Sequence, residues 1–295
     1  MNQKDLFSKF APFREPPKWP TYPPYATEYL EEFFLNKFEK EMPETKRKFI
    51  PVAWSSCYIN HNDRPLQALQ DALKSLPQDE AYFAVATHDD AVREALPKNT
   101  MVFSAGGNKG DVPIPLVCSS IPENKIPKKE KDIFCSFVGS LTHPIRNEMV
   151  SSLKDNPKFF LKAGNWSNSV SKEKEEDFLS VMARSKFSLC PRGYGPTSYR
   201  LYEAMQVGSV PVYVYDREWL PWQDEIDWSE CIITIHQSQV GIIDLMLEAI
   251  DEEEIQKKIE NCKKIYKSCL TFDKTFDRIL SSLKDEEKLK EVLKL

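Results

Sequence analysis

The stretch KFSLCPRGYGPTSYRLYEAMQVGSVPVYVYD, Lys186 to Asp216, decides how the rest of the chain is read. Lys186–Cys190 is an apolar run of strand length, and Pro191-Arg192-Gly193-Tyr194-Gly195 leads from it into a predicted helix at Pro196–Val207. Pro196 suits the first helical position, and Gly208 stands where a left-handed cap is expected. Ser209–Tyr215 is the next strand, so the stretch is a βαβ unit and implies a parallel sheet. Glycines ahead of a helix N-terminus let the backbone approach an anion, and the unpaired N–H groups and helix dipole favour its charge. On the helix, Leu201, Ala204 and Met205 share the face that should pack on the sheet, while Arg200 and Glu203 lie three apart on another. An Arg there can clamp a diphosphate bidentately, and a Glu can accept both hydroxyls of a ribose. Two other readings stay open on spacing alone. One is an exposed helical ion pair of little consequence. The other is a dinucleotide site, since Gly193-x-Gly195-x-x-Ser198 follows a strand and Asp216 ends the next. Against the second, its third position is Ser and Pro196 intrudes.

The same alternation extends to both sides. Downstream of Pro122–Lys131 come strands at Asp132–Val138, Lys158–Lys162 and Cys231–Ile235, with helices at Pro144–Lys154, Lys172–Arg184, Val240–Ile250, Glu252–Ser268 and Phe272–Leu293. Upstream, strands are predicted at Phe49–Trp54, Ala81–Ala86 and Thr100–Ser104, and helices at Thr27–Lys40 (capped by Thr27), Leu66–Leu76 and Ala91–Leu96. Pro113 and Pro115 confine Val112–Cys118 to a sheet edge or an irregular position. Pro122–Lys131 is charged, aperiodic and reads as a linker. Met1–Tyr25, with Pro12, Pro16, Pro17, Pro20, Pro23 and Pro24, reads as an extended arm whose aromatics Phe10, Phe13, Trp19, Tyr22 and Tyr25 lie on the body. The predicted organisation is an arm at 1–25, an N-terminal Rossmann-like domain at 26–125, a C-terminal one at 126–270 and a closing helix at 271–295. The fold class is α/β, two Rossmann-like domains whose parallel sheets face each other across a cleft.

Composition sets bounds on function. The chain has 295 residues, roughly two domains at about 100–200 residues each. With 41% apolar residues it can bury a sizeable core, which excludes overall disorder. Forty Lys and Arg against 45 Asp and Glu leave a net charge of −5, unlike a dedicated nucleic-acid binder. No run approaches the ~20 apolar residues of a membrane helix, and Met1–Tyr25 lacks the apolar core of a signal peptide. As given, the chain reads as cytoplasmic. Seven widely spaced cysteines with no C-x-x-C read as buried, reduced thiols rather than zinc ligands.

The motif set Pro191-Arg192-Gly193, Ser198-Tyr199-Arg200, Glu203-Ala204, Gly208 and Pro211-Val212 resembles the core of the exostosin-like glycosyltransferases, family 47. The resemblance continues into Leu220-Pro221-Trp222 and Ile226-Asp227-Trp228, and upstream into Phe137-Val138-Gly139 with Arg146. It covers about 130–240 well and Phe49–Asp90 more faintly, through Val52-Ala53-Trp54 and His88-Asp89. It implies a GT-B architecture and an inverting transfer from a UDP-sugar donor to an oligosaccharide or glycan acceptor, with the donor held mainly by the C-terminal domain. Among the family's donors, xylose is the sugar we expect. It also implies a donor site of Gly139, Arg146, Trp166, Arg192, Gly193, Tyr194, Gly195, Thr197, Ser198, Arg200 and Glu203.

Such an enzyme must stabilise a departing diphosphate. The chain contains no Asp-x-Asp for a metal, so Arg146, Arg192, Arg200 and helix N-termini are expected to serve, with no cofactor beyond the sugar nucleotide. Arg146 lies in a second loop-to-helix junction, after Pro144. Inversion needs a base for the acceptor hydroxyl, and two loops after predicted strands offer one: His61 with Asp63, and His88-Asp89-Asp90. Asp89 is the choice between them, although Asp89 or Asp90 could instead cap the predicted helix at Ala91–Leu96. A retaining arrangement with a second acid eight positions before Glu203 is missing, because Gly195 stands there. The alternative function is a non-catalytic nucleotide-sugar-binding or scaffolding subunit of a glycan-synthesis complex.

Overall fold

The computed structural model describes residues 1–18, 23, 25–62, 64, 66–117, 120–167 and 169–285. The chain divides into two compact units. The first comprises Met1–Thr21, Thr27–Ser119 and Phe272–Leu295; the second comprises Tyr22–Ala26 and Ser120–Thr271. Pro122–Lys131 therefore opens the second unit, and the residues just before the first unit's second segment belong to the second.

The first unit runs α1 (Gln3–Lys9), α2 (Leu30–Glu41), β1 (Lys48–Phe49), α3 (Trp54–Asn60), α4 (Gln67–Lys74), β2 (Tyr82–Ala86), β3 (Thr100–Ser104) and β4 (Val112–Pro113). All four strands are parallel, in the order β1-β2-β3-β4. Three expectations change here. The start of the chain is helical, not extended: Asn2 and Asp5 form a capping box and α1 ends before the prolines begin, sending Leu6 and Phe10 fully into the core. The strand expected at Phe49–Trp54 stops at Phe49, because Pro51 has no N–H for the ladder, and Trp54 opens α3 instead. The helix expected at Ala91–Leu96 does not form. Ala91 has φ of +51°, a left-handed conformation that costs a non-glycine residue energy and stops a helix at its first position. Helix α2 starts at Leu30 rather than at Thr27, with the Glu32 carboxylate accepting from the Tyr29 N–H.

The second unit runs β5 (Ile133–Ser140), α5 (Pro144–Leu153), β6 (Phe159–Gly164), α6 (Lys172–Arg184), β7 (Ser185–Pro191), α7 (Tyr199–Val207), β8 (Val210–Tyr215), β9 (Ile233–His236), α8 (Ile243–Glu248) and α9 (Glu252–Ile265). A last helix, α10 (Phe272–Lys284), belongs to the first unit. The five parallel strands stand in the order β6-β5-β7-β8-β9. The winding reverses between β5 and β7, and in open parallel sheets that reversal leaves a crevice at the strands' carboxyl ends where ligands bind. Phe137, Phe187, Leu189, Val210, Val212 and Val214 build the core beneath it, all fully buried. Cys57, Cys135, Cys190, Cys231 and Cys262 are buried free thiols, and Cys269 is a half-buried one.

Candidate functional site

The carboxyl ends of β5 and β7 carry the residues that the motif reading singled out. After Pro191 the ladder extends one step, the Arg192 N–H donating to the Val214 carbonyl at 3.0 Å. The chain then closes a turn through the Gly193 N–H to the Thr197 carbonyl at 2.9 Å, and Tyr213 pins it from below by donating to the Pro196 carbonyl at 2.8 Å. Pro196 thus sits in the turn, not at the first helical position; Ser198, in extended backbone, is the N-cap of α7. Its hydroxyl caps nothing. The Thr197 and Ser198 hydroxyls and the Arg200 Nε are all buried without a hydrogen-bond partner. Buried polar atoms are seldom left unmet, so three at one helix mouth make it a candidate ligand site; Trp54 Nε1 and the Ser55 and Thr87 hydroxyls in the first unit are also unmet.

The three arginines do different work. Arg146 is buried, and its guanidinium donates to the carbonyls of Arg192 (2.7 Å), Ser140 (2.8 Å) and Pro191 (3.2 Å), tying the end of β5 to the turn after β7. Through these bonds it shapes the turn. Arg192 Nη1 donates to both carboxylate oxygens of Asp216, at 2.7 and 2.8 Å, and Nη2 donates to the Tyr194 carbonyl. Burial works against the Asp216 charge, but the Arg192 bonds outweigh it and hold the carboxyl below its usual range. Asp216 thereby has an internal partner where a dinucleotide site would need a ribose ligand. Arg200 donates to the Val138 carbonyl at 2.7 Å and lies over the Phe137 ring, 4.8 Å from its centroid. Gly139 makes that approach possible, since a Cβ there would stand 2.3 Å from Arg200 Nη2. Gly193 differs: a Cβ would meet nothing closer than 3.5 Å, so the fold does not require a glycine there.

Glu203 is 4% exposed and makes no ion pair with Arg200 among the described residues, which disposes of the exposed-pair reading. Burial raises its carboxyl above the ordinary range, opposed by a 2.7 Å hydrogen bond from the Tyr25 hydroxyl and by the charge of Arg200. Tyr25 was not identifiable as a site residue from the sequence, where it is one aromatic among several in a proline-rich segment. Trp166, after β6, and Tyr194, in the turn after β7, are each 60% exposed. His143 caps α5, and burial together with Arg192 and Arg146 pushes its imidazole toward the neutral form. Elsewhere in this unit an open groove of about 530 Å³ is lined by Glu218, Asp224, Glu225 and Asp227, whose charge disfavours a diphosphate.

In the first unit, His88-Asp89-Asp90 follows β2, and its neighbours hold it tightly. The His88 Nδ1 accepts from the Asp90 N–H at 3.0 Å, with the ring edge-on to Tyr58. Asp90 accepts from Arg93 at 3.2 Å and from Asn108 at 3.1 Å. Asp89 is fixed through its backbone: its carbonyl accepts from the Asn108 N–H, and a Cβ on Gly106 would lie 2.2 Å from its Cα. With no helix at Ala91–Leu96, neither aspartate caps one. His61 ends α3 rather than a strand, so it does not share that setting, and Asp63 lies outside the described residues. The sequence reading also missed Glu31, whose carboxyl group is 1% exposed and accepts from Ser55 N (2.6 Å) and Thr87 N (2.8 Å). Among the described residues no group of His, Cys, Asp or Glu is arranged to hold a metal, and no helix is long and apolar enough to cross a membrane.

The sequence model of the exostosin GT47 domain matches residues 77–248, more than half of the chain and all of the β5–β7–α7 site. The chain belongs to the exostosin GT47 family. Similar curated proteins include a probable glucuronosyltransferase from Oryza sativa subsp. japonica, 30% identical over 148 residues (46% of this chain, 32% of the relative). Another is a probable beta-1,4-xylosyltransferase from Arabidopsis thaliana, 34% identical over 107 residues (36% of this chain, 24% of the relative). The matches thus span about a third or less of those relatives' length. Among solved structures, AviGT4, a glycosyltransferase involved in avilamycin A biosynthesis, aligns with 90% of this chain and 92% of its own at 11% identity and a TM-score of 0.41.

Proposed function

We propose that this exostosin GT47 protein is an inverting glycosyltransferase that moves a sugar from a UDP-sugar to a glycan acceptor and forms a β-linkage. The observation that supports this most directly is the set of buried, unpartnered groups at the mouth of α7: the Thr197 and Ser198 hydroxyls and the Arg200 Nε. A diphosphate can accept from all three, at a helix N-terminus that favours its charge. Glu203 would take ribose hydroxyls, and Trp166 and Tyr194 offer flat, exposed faces for the base.

In the reaction the acceptor hydroxyl attacks C1 of the sugar from the side opposite the diphosphate. The C1–O bond to phosphate breaks, and its electron pair leaves with UDP. The hydroxyl proton goes to the 88–90 loop, with Asp89 as acceptor, its backbone held between Asn108 and Gly106. Charge gathers on the leaving diphosphate, where Arg200 and the α7 amides meet it without a divalent cation. Arg146 and Arg192 keep the turn in shape for that contact. Xylose is the donor sugar we favour, in line with the probable beta-1,4-xylosyltransferase among the chain's relatives.

The test is a donor screen with UDP-xylose, UDP-glucuronic acid, UDP-galactose and UDP-arabinose, following UDP release with and without EDTA. We expect release from UDP-xylose, unchanged by EDTA, and a β-linked product by NMR. UDP binding without release from any donor would favour the scaffolding alternative. Loss of turnover in EDTA restored by manganese, or an α-product, would overturn the mechanism.

A further inference from the structure

Glu203 sits in an awkward position for its proposed task. To accept two ribose hydroxyls it must be ionised, yet it is buried on α7 and burial favours the protonated form. Its only hydrogen bond among the described residues comes from Tyr25, at 2.7 Å to Oε1, so Oε2 is left for a ligand. Tyr25 arrives from far away in sequence. Residues Tyr22–Ala26 cluster with the second unit although the chain on either side belongs to the first. The Ala26 N–H donates to the Pro23 carbonyl at 2.9 Å, closing a turn that presents the Tyr25 side chain, itself buried at 8% exposure. A tight turn with a buried hydroxyl directed at a buried acid is more than loop packing needs.

We propose that Tyr25 is a positioning residue of the nucleotide subsite: its phenol holds one oxygen of Glu203 and leaves the other, charged and aimed, for the ribose hydroxyls. The inference rests on the UDP-sugar reading above. The groups facing Glu203 are Tyr25, beside the Ala26-to-Pro23 hydrogen bond, Arg200 from its own helix and the Cys190 thiol from β7. Burial pushes that thiol up to about 12, so it stays neutral and leaves Tyr25 and Arg200 as the two that favour the charge. Removing the phenol oxygen removes one of these and moves the Glu203 titration upward.

The experiment uses the full chain and Tyr25→Phe, which keeps the ring. Carboxyl carbon NMR of Glu203 without ligand should show a higher midpoint in the variant than in the wild type. Below both midpoints UDP affinity should fall about tenfold, the weight of one hydrogen bond to a charged group. That loss should shrink at a pH above both midpoints, because ionisation is restored. A merely structural tyrosine would lower affinity equally at both pH values. In a Glu203→Gln background, where no charge can be tuned, adding Tyr25→Phe should change UDP affinity little. Coincident midpoints in the two proteins overturn the inference whatever UDP does. A wild type that binds no UDP, with midpoints that do differ, overturns instead the reading of the ligand.

Discussion

At the carboxyl end of β2, the Glu31 carboxyl group takes the amides of Thr87 and of Ser55 in the first turn of α3. At the carboxyl ends of β5 and β7, the hydroxyls of Thr197 and Ser198 and the Nε of Arg200 are equally buried and meet nothing. The two sheets also differ in winding. The first runs β1-β2-β3-β4 in one direction, whereas the second reverses at β5 and β7 and so has a crevice. The first mouth also leaves the Ser55 and Thr87 hydroxyls unmet, but its amides already face the Glu31 carboxyl group, so an anionic ligand gains little there. Where a mouth is left open at a reversal of winding, such a ligand completes the structure. The difference supports the proposed placement of the sugar nucleotide in the second unit.

The largest effect should come from Arg200. Arg200→Ala should lower turnover about 100- to 1,000-fold in the donor assay, the usual cost of removing one donor from a site where charge develops. Lys should not rescue it, since an ammonium lacks the planar fork whose separate nitrogens reach the Val138 carbonyl and a phosphate. Turnover within about threefold of wild type would erase the contrast between the two helix mouths.

Next is Glu31→Gln. An amide can accept from only one of the two N–H groups, so one buried donor loses its partner, and urea unfolding should report a loss of about 1–3 kcal/mol. UDP affinity should stay as it was. The pH dependence sharpens this test. Burial pushes the Glu31 carboxyl from 4.5 up to about 8, with the Thr87 N–H pulling it back and Glu32 adding to the rise. The folded protein therefore holds a proton that the unfolded chain has released between those values, and stability falls as pH rises across that window. The slope from this one group is at most about 1.4 kcal/mol per pH unit. Subtracting the Glu31→Gln profile should isolate it; identical slopes in the two proteins would mean that Glu31 is not held this way.

Much of the second unit was legible from residues 186–216, because a strand, a glycine turn and a capped helix are local signals. Long-range partners were not. Nothing near Tyr25 announces that its hydroxyl meets Glu203, 178 positions away. Arg146 and Arg200 look alike as motif arginines, but one spends its donors on three carbonyls and the other is held over Phe137 with Nε unmet. Only the register of β5 against β7 separates them. The 88–96 segment misled for a local reason, since no composition rule foresees that Ala91 takes a positive φ. Glu31 offered one available clue: an acid in the first turn of an amphipathic helix, on the side that Leu30, Phe34 and Phe38 bury.

The smallest effect is expected at Gly193, and it is the most selective test of the contrast. A glycine kept for the fold would show a positive φ or a close neighbour. Gly193 is not among the positive-φ glycines, and a Cβ there would meet Arg146 Nη2 and the Thr197 carbonyl only at 3.5 Å, ordinary contact. Gly193→Ala should therefore leave the stability unchanged or raise it slightly, by about 0.4–1 kcal/mol at most, through the stiffer unfolded chain. The methyl group would instead stand at the mouth of α7, where we place the diphosphate, and UDP affinity should fall while the fold stays intact. Gly139→Ala makes the matching control: its Cβ must displace Arg200, so it should reduce turnover more than affinity. If Gly193→Ala destabilised the protein and left UDP binding alone, the glycine would be serving the turn, and the open helix mouth would no longer mark where the ligand sits.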